Sequence, residues 1–260
     1  MGGDSHEMKP TQERRQAIIE FVTERGRLSI ADLTHHLGVS EMTIRRDLAA
    51  LDSEGTIRRI HGGALPVVSG SYEPPFSVRT SLRAAAKQEI ATLVGSRIGD
   101  GETVILDGGT TAAAIAEVLL HRNISICTLS LRVADVLTAS TAVRLMIAGG
   151  IVRPDERSLI GPAALRIFED HRFDVYIMTA SGIHISAGIT EWNLDDTAVK
   201  RAALRAANRC IVACDASKFG KTAFGRICAV EEVDTIVTDS AIDPRQQSAF
   251  GAVDVNFCVA

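Results

Sequence analysis

The sequence predicts an α/β protein of two unequal domains, and three observations support this fold class. The chain has 260 residues, 46% of them hydrophobic, which allows a sizeable core but is large for one domain. The first 65 residues contain short helical patterns and then a β-prone ribbon, whereas β-branched runs alternate with helical patterns from residue 83 onward. We therefore expect a small N-terminal domain over residues 8–65 and a larger C-terminal α/β domain over residues 83–260.

Composition narrows the class of protein before any motif is considered. No stretch approaches the roughly 18 consecutive apolar residues of a membrane span, and the first ten residues lack the apolar core of a signal peptide. We therefore expect a cytoplasmic protein without a membrane partner. The five cysteines show neither C-x-x-C spacing nor pairing with histidine, so we expect buried, reduced thiols and no metal site. Nothing in the motifs calls for a cofactor.

The N-terminal domain begins with a helix over Thr11–Arg25, whose apolar residues fall on one face and which Gly26 ends. Ser29 then caps a second short helix, and Gly38 permits a tight turn before Ser40 caps a third helix. Two helices joined in this way form a helix-turn-helix, whose second helix enters the major groove of DNA.

The third helix has a clear inward face. Ile44, Leu48 and Leu51 recur at intervals of four and three residues and are expected to face the core. The same periodicity predicts an outward face formed by Thr43, Arg46, Asp47 and Ala50. The exposed N-terminal end supplies further candidates, so the predicted DNA contacts on this helix are Ser40, Glu41, Met42, Thr43, Arg45 and Arg46.

A short β-prone ribbon over Gly55–Ala64 follows the third helix and ends in a glycine turn. It predicts a wing, in which Arg58, Arg59 and His61 lie against phosphates or the minor groove. Arg45 and Arg46 of the third helix could contact a phosphate or a guanine edge, and spacing alone does not separate these two roles.

Charge is the main argument against DNA binding. The formal charge of the chain is −4, and residues 1–65 contain nine Lys or Arg against ten Asp or Glu. Affinity for phosphates comes mainly from basic residues, so a positive surface must arise from their placement on one face. We expect the acidic residues Asp47, Asp52 and Glu54 to pair with arginines and to shape the domain.

The third helix and the wing resemble the signature of the DeoR family of bacterial transcriptional repressors. The matching residues are Val39–Leu48, Leu51, Gly55 and Arg59–Ala64. The resemblance implies a winged helix-turn-helix that binds double-stranded operator DNA. A generic helical hairpin with a solvated face would not explain the cap, the turn, the double arginine and the glycine wing together.

Residues 66–82 are rich in proline, glycine and serine without sustained periodicity, which predicts an interdomain linker. Beyond it the sequence predicts helices over about 84–98, 111–121, 131–139, 162–170 and 193–207. Six intervening runs predict strands over Thr103–Leu106, Ile124–Thr128, Arg144–Ala148, Val175–Thr179, Cys210–Cys214 and Thr235–Thr238. This alternation indicates a mostly parallel sheet covered by helices.

Ligands of such sheets bind beyond the carboxyl ends of the strands, so the loops there are the candidate site. In Leu106–Thr111 a glycine turn leads from a strand into a helix, where backbone N–H groups, the positive helix end and two hydroxyls suit a phosphate. Three further loops contain Gly150, Ser181 and Lys218. Lys218 follows directly on a strand and could meet a phosphate or a carboxylate as a point charge.

Together these loops resemble the sensor domain of the DeoR family, which is similar in fold to ribose-5-phosphate isomerase A, over nearly all of residues 84–240. The resemblance implies that Asp107, Gly109, Thr110 and Thr111 hold a sugar phosphate and that Lys218 and Lys200 belong to two further family segments near the pocket. Gly108 stands where many members have serine, which removes one hydroxyl donor. The predicted effector-binding residues are Asp107, Gly108, Gly109, Thr110, Thr111, Gly150, Ser181, Lys200 and Lys218.

The two halves together imply a repressor of a carbohydrate or sugar-acid catabolic operon, released from its operator by a phosphorylated sugar or related metabolite. A homodimer or homotetramer formed through the C-terminal domains would place paired recognition helices on repeated or palindromic half-sites. The sequence also leaves open the opposite effect on operator binding, in which the metabolite is a corepressor.

Two other classes of function compete with this interpretation. The pocket residues would also suit an enzyme that abstracts a proton from a sugar phosphate. However, the segment Asp195–Arg201 does not match the isomerase's glycine-rich catalytic segment, so we expect no catalysis and no catalytic residue. A DNA-binding protein whose C-terminal part only oligomerises predicts that no metabolite alters DNA affinity.

Overall fold

A computed structural model describes residues 11–53, 56–66 and 74–260 of the chain. They fall into two compact units that divide between Leu82 and Arg83, here called the first and the second unit. The predicted domain start at residue 8, the linker residues 67–73, and Glu54 and Gly55 of the predicted wing region lie outside the described residues.

The first unit combines a helix-turn-helix with a small antiparallel sheet. The strands pair in the order β1-β3-β2, and the β2–β3 hairpin forms the predicted wing. In chain order the elements are α1 (Thr11–Arg25), β1 (Leu28–Ser29), α2 (Ile30–Leu37), α3 (Glu41–Ser53), β2 (Ile57–Ile60), β3 (Gly63–Pro66) and α4 (Phe76–Ser81).

Local sequence determines where the helices of the first unit begin and end. The Ser29 hydroxyl accepts a hydrogen bond from the N–H of Asp32, and the Asp32 carboxylate accepts one from the N–H of Ser29. This reciprocal arrangement is a capping box. Gly38 ends α2 with a φ of 66° in the left-handed region. The Ser40 hydroxyl then accepts the N–H of Thr43 at 3.2 Å at the start of α3, so both predicted caps and the turn are confirmed.

The predicted linker contains a helix that the sequence analysis did not expect. The side chain of Val78 on α4 is fully buried in the same apolar core as Ile18, Leu33 and Ile44. Residues 74–82 therefore belong to the first unit, which corrects the linker expectation for this part. A six-residue helix with one inward apolar side chain shows no periodicity that a sequence window could detect.

The second unit is a sheet covered by helices on both faces. Its first half contains α5 (Ala84–Gly95), β4 (Thr103–Leu106), α6 (Gly109–Leu119), β5 (Ser125–Thr128), α7 (Leu131–Leu137), β6 (Arg144–Ile147), β7 (Ile151–Val152), β8 (Leu159–Ile160) and α8 (Pro162–Asp170). Its second half contains β9 (Phe173–Met178), β10 (Gly182–His184), β11 (Gly188–Glu191), α9 (Leu194–Ala206), β12 (Ala207–Ala213), β13 (Gly225–Cys228), β14 (Thr235–Thr238), α10 (Pro244–Gly251) and β15 (Asn256–Val259).

The main sheet has seven strands in the order β15-β14-β12-β9-β4-β5-β6, and every neighbouring pair is parallel. All six predicted strands lie in it, and the mostly parallel sheet is confirmed. From β4 the chain proceeds through β5 to β6 on one side, whereas from β9 it proceeds through β12 and β14 to β15 on the other. The strand order therefore reverses between β4 and β9, which is where ligands of open α/β sheets bind.

Separate apolar cores cover the two faces of the main sheet. Ile105 and Tyr176 point to one face, and Val104, Leu106 and Ile177 point to the other, as the alternation of side chains along a strand requires. Helices α8, α9 and α10 cover the first face, and α5, α6 and α7 cover the second.

Two smaller sheets complete the second unit. Strands β10, β11 and β13 form an antiparallel sheet, and β7 pairs with β8. All five cysteines are free thiols, four of them buried. Within residues 11–53, 56–66 and 74–260, no group of histidine, cysteine and acidic side chains could hold a metal ion. Across the same residues, no helix has the length and apolar character to span a membrane.

Candidate functional site

The N-terminal half of α3 presents an exposed surface. The side chains of Ile44 and Leu48 are fully buried beneath it. Met42 is 78% exposed, the largest value among the exposed large hydrophobic side chains of the described residues. The predicted contacts Glu41, Met42, Arg45 and Arg46 all lie on this exposed surface, with Ser40 and Thr43 at the cap.

Asp47 does not lie on this outward face, which corrects the sequence expectation. Its carboxylate is fully buried and accepts hydrogen bonds from Arg14 at 2.6 Å and Arg15 at 3.3 Å. Both arginines come from α1, and residue 47 shares the helical face of Ile44 and Leu48. The expected pairing with arginine is present, and it joins α3 to α1 instead of shaping the outer surface.

The wing carries the remaining predicted DNA contacts. Arg58, Arg59 and His61 are exposed on or beside the β2–β3 hairpin. The Asp52 carboxylate accepts the backbone N–H of Arg59 at 2.8 Å and so attaches the wing to the end of α3. At Gly63 a Cβ atom would overlap the carbonyl oxygen of Leu28, so only glycine permits β1 and β3 to pair this closely.

In the second unit, Asp107 lies where the strand order reverses. It follows β4 directly and is 2% exposed. Its Oδ1 accepts the N–H of Gly108 at 2.8 Å, and its Oδ2 accepts the N–H of Thr179 at 2.9 Å. Thr179 follows β9, so this carboxylate connects the two loops on either side of the reversal.

Lys200 on α9 lies between two buried carboxylates. Its Nζ is 3.0 Å from Oδ2 of Asp107 and 2.5 Å from Oε2 of Glu191, and it donates to the carbonyl oxygen of Thr179 at 2.9 Å. Glu191 also accepts hydrogen bonds from the Ser181 hydroxyl and from the backbone N–H of Trp192. One ion cluster thus holds the loop after β4, the end of β11 and helix α9 together. It is called here the Lys200 cluster (Asp107, Glu191 and Lys200).

Electrostatics keep Lys200 and Glu191 charged despite their burial. Burial alone would lower the pKa of Lys200, but the carboxylates of Asp107 and Glu191 outweigh it and hold that pKa above its usual value. Burial alone would raise the pKa of Glu191, but the Lys200 ammonium and its hydrogen bonds lower it. With two carboxylates for one ammonium, the cluster has a formal charge of −1.

All donors of Lys200 have partners within the protein. An ammonium group has three donors, and Thr179, Asp107 and Glu191 accept all three. Ser181 is likewise buried and engaged with Glu191. Both residues position the loops of the site in this structure, and their contact with the effector stays a prediction.

The start of α6 fits the predicted anion site. Gly108 is the residue before the helix and Gly109 has a φ of 88°, so the chain turns sharply from β4 into α6. The first N–H groups of a helix, here those of Gly109, Thr110 and Thr111, have no partner within the helix. The N–H of Gly108 itself is already donated to Asp107. A Cβ at Gly108 would come within 3.3 Å of Ser130 Cβ, so a serine here would crowd its neighbour.

The other predicted effector residues are separated along the sheet edge. Gly150 is exposed after the edge strand β6, two strand spacings or roughly 10 Å from β4. A Cβ there would overlap the carbonyl oxygen of Ile160, so close backbone packing explains this glycine. Lys218 is half-buried in a short 3₁₀ turn, Ala216–Lys218, that follows β12 on the other side.

Sequence reasoning missed several residues of the site. The predicted effector-binding residues do not include Glu191, which the sequence places in a candidate loop, or Thr179, which it places at the end of a strand. Arg83, just before α5, places its Nε 3.7 Å from Oδ1 of Asp215, a residue that is 4% exposed. Asp215 follows a β-prone run and Glu191 ends one. An acidic residue at the carboxyl end of a strand was therefore the sequence signal that could have identified both as site residues.

Comparisons with known proteins match both units. Residues 14–69 match the family described as DeoR-like helix-turn-helix domain, and residues 82–240 match the DeoR C terminal sensor domain. The chain is 34% identical over 249 residues to the "Uncharacterized HTH-type transcriptional regulator YgbI" of Escherichia coli, covering 95% of this chain and 97% of that relative. It is 37% identical over 235 residues to the "Glycerol-3-phosphate regulon repressor" of Escherichia coli, covering 90% and 92%.

Among solved structures, ribose 5-phosphate isomerase A from Methanocaldococcus jannaschii is similar. The likeness has a TM-score of 0.39 at 14% sequence identity and covers 51% of this chain and 53% of that chain.

Proposed function

Because the chain belongs to the DeoR family of transcriptional regulators, we propose that it represses a carbohydrate or sugar-acid catabolic operon. A phosphorylated sugar or related metabolite, bound by the second unit, releases it from the operator. The family is one of regulators, so the isomerase alternative is excluded. The observation that carries the proposal is that one chain combines an exposed, arginine-bearing recognition helix with a sensor sheet whose strand order reverses at Asp107.

The DNA-binding half of the proposal rests on the distribution of charge in the first unit. Asp47 is buried against Arg14, and Asp52 is engaged by the backbone of the wing. These acidic groups are therefore not directed at a phosphate backbone, whereas Arg46 and Arg58 are exposed. A nearly neutral unit can in this way present a basic surface to the operator.

The sensing half rests on the start of α6. Gly109, Thr110 and Thr111 offer N–H groups and two hydroxyls at the positive end of a helix, beside the point where the strand order reverses. We assign the phosphate of the effector to this place. The partners, chromosomal DNA and a metabolite, imply a regulator that acts in the cytoplasm, and half-sites repeated on DNA favour a homodimer or homotetramer.

Substitution of Arg46 by alanine tests the DNA-binding surface. The change should weaken operator binding and lower the slope of log affinity against log salt by about one unit for each phosphate that the variant no longer binds. An operator is first selected from a randomised duplex pool with the full-length chain, and affinity is then measured at several salt concentrations. Arg144→Ala, at an exposed position on β6, is the matched control. An unchanged slope and affinity would remove Arg46 from the interface.

The sensing half is tested separately with the fluorescence of Trp192, the single tryptophan of the sequence. Its backbone N–H donates to the Glu191 carboxylate, so the fluorophore belongs to the residue directly beside the Lys200 cluster. A panel of phosphorylated sugars and sugar acids is titrated while operator release is followed in parallel. If no compound changes either signal, the proposed sensing function fails.

A further inference from the structure

We infer that the effector carries two acidic groups, a phosphate and a carboxylate at opposite ends of a hydroxylated carbon chain, as in a phosphorylated sugar acid. This inference rests on the proposed function, because it concerns the ligand of the same site. It is carried by three basic side chains, Arg83, Lys218 and Lys221, beside the buried carboxylate of Asp215, here called the Asp215 cation cluster.

The centre of the sheet edge cannot hold the second acidic group. The Lys200 cluster there contains two carboxylates for one ammonium, and every donor of that ammonium is used. A further anion would be repelled by the net negative charge and would find no free donor on Lys200. An acidic group at the end of the effector opposite to its phosphate must therefore find its cation elsewhere along the edge.

The Asp215 cation cluster supplies the positive charge that the centre lacks. The Arg83 guanidinium lies 3.7 Å from the Asp215 carboxylate. The N–H of Lys218 donates to the carbonyl oxygen of Asp215 at 3.0 Å, and Asp215 also accepts the N–H of Ser217 at 3.0 Å, which closes the turn that carries Lys218. Lys221 comes three residues later, on the other side of Gly220.

The charges in this cluster do not balance. Burial would raise the pKa of Asp215, but the Lys218 cation and hydrogen bonds lower it, so the carboxylate stays ionised. Burial lowers the pKa of Lys221, and repulsion from Lys218 lowers it further. Asp239, the next acidic group along the edge, is occupied by the N–H groups of Ala216 and Ala241. With Asp239 counted beside Asp215, three basic side chains face two carboxyl groups among the described residues, and this excess of one basic group favours binding of an anion.

The position of the cluster sets the span of the effector. Lys218 follows β12 and the start of α6 follows β4, with β9 between them. Helix α5 begins directly after Arg83 and covers the same sheet face as α6. The turn that carries Lys218 and the start of α6 are therefore two strand spacings, or roughly 10 Å, apart. One phosphate does not reach both, whereas a short carbon chain with an acidic group at each end does.

Matched pairs of ligands test this inference. Phosphorylated aldoses of four, five and six carbons are each compared with the phosphorylated aldonic acid of the same length, by Trp192 fluorescence on the full-length protein. In at least one pair the acid should bind about tenfold more tightly or better, because a charge-assisted contact is added. That preference should weaken as salt concentration rises.

Two variants connect the preference to the cluster. Lys221→Gln and Arg83→Gln should each reduce the preference for the acid by roughly tenfold while changing the affinity for the phosphorylated aldose much less. Arg144→Gln removes the same charge far from the site and should leave the preference unchanged. Arg83 has a φ of 53° and precedes α5, so its variant is checked by melting temperature, and Lys221→Gln decides the outcome if Arg83→Gln unfolds.

The outcomes separate this inference from the function on which it rests. If aldose phosphates and acid phosphates bind equally, the two-anion effector is wrong and the sensing function stands. If the preference for the acid survives in Lys221→Gln, the assignment of the second acidic group to the Asp215 cation cluster is wrong and the sensing function stands. If no phosphorylated compound of either kind binds, the sensing function itself fails. A preference for the acid that Lys221→Gln abolishes and Arg144→Gln preserves supports the inference.

Discussion

Lys200 holds its ammonium group between the buried carboxylates of Asp107 and Glu191, so its replacement tests how the sensor site is held together. Lys200→Met should lower the free energy of unfolding of the second unit by about 3–5 kcal/mol at neutral pH, because it leaves two buried carboxylates without a counter-charge. Urea unfolding of the second unit measures this loss. Arg205→Met, at an exposed position on the same helix, should have little effect.

The pH dependence of the same variant should be opposite to that of the natural protein. The folded pKa of Glu191 lies below its ordinary value of 4.5, so its contribution is present above that value and is lost as pH falls through the folded pKa. Without Lys200, burial raises the folded pKa instead. The variant should therefore gain stability as pH falls through that raised pKa. Equal pH slopes in thermal unfolding would contradict the role of Lys200.

The wing depends on the close approach of β1 to β3. Gly63→Ala places a methyl group against the carbonyl oxygen of Leu28, so the two strands must separate. We expect a loss of about 1–3 kcal/mol in the stability of the first unit. Hydrogen exchange of the β2 and β3 amides should become faster, and operator affinity should fall because Arg58 and Arg59 are no longer held in place.

A glycine without close neighbours provides the control for this element. Gly251→Ala, at the end of α10, adds a methyl group with no atom within 4 Å and should leave hydrogen exchange and operator binding unchanged. If Gly63→Ala behaves like Gly251→Ala, the wing does not depend on this contact.

At the scale of the whole molecule, the proposed function requires that DNA and effector affect each other's binding. Release of the operator is explained only if the effector binds the DNA-free state more tightly than the DNA-bound state. Typical coupling is about 1–3 kcal/mol, or roughly 5- to 150-fold in affinity. Operator DNA should therefore weaken effector binding by the same factor by which the effector weakens operator binding.

Reciprocity also separates the competing interpretations of the second unit. The effector's dissociation constant is measured by Trp192 fluorescence with and without saturating operator, and with a scrambled duplex as the control. Tighter effector binding on the operator would identify a corepressor instead of an inducer. No coupling in either direction would leave the second unit without a sensing role.

Much of the first unit was predictable because its signals are local. Ser29, Gly38 and Ser40 act within three or four residues of their own positions, and caps and turns depend on neighbours in the chain. Asp47 was placed wrongly because its partner Arg14 lies 33 residues away. Asp47 lies at the edge between the inward and outward faces of α3. Helical periodicity does not show that an arginine far away in the sequence makes burial of its carboxylate favourable.

In the second unit the sequence predicted six of the seven strands of the main sheet, but not the edge strand β15 (Asn256–Val259), which contains one β-branched residue and is partly exposed. It also placed candidate loops at the carboxyl ends of those strands. It did not place Arg83 or Glu191 among the effector residues, because the pairing of Arg83 with Asp215 and of Glu191 with Lys200 joins different loops.

The amino-acid sequence by itself determined the two-domain α/β architecture, the recognition helix, the wing and the family, because caps, hydrophobic periods and glycine turns are encoded in short stretches of chain. Tertiary structure alone decided which charged groups are free. Lys200 is saturated by Asp107, Glu191 and Thr179, whereas Asp215 is shared by Arg83 and Lys218. Charge balance depends on distances between loops brought together by folding, and no local pattern contains those distances.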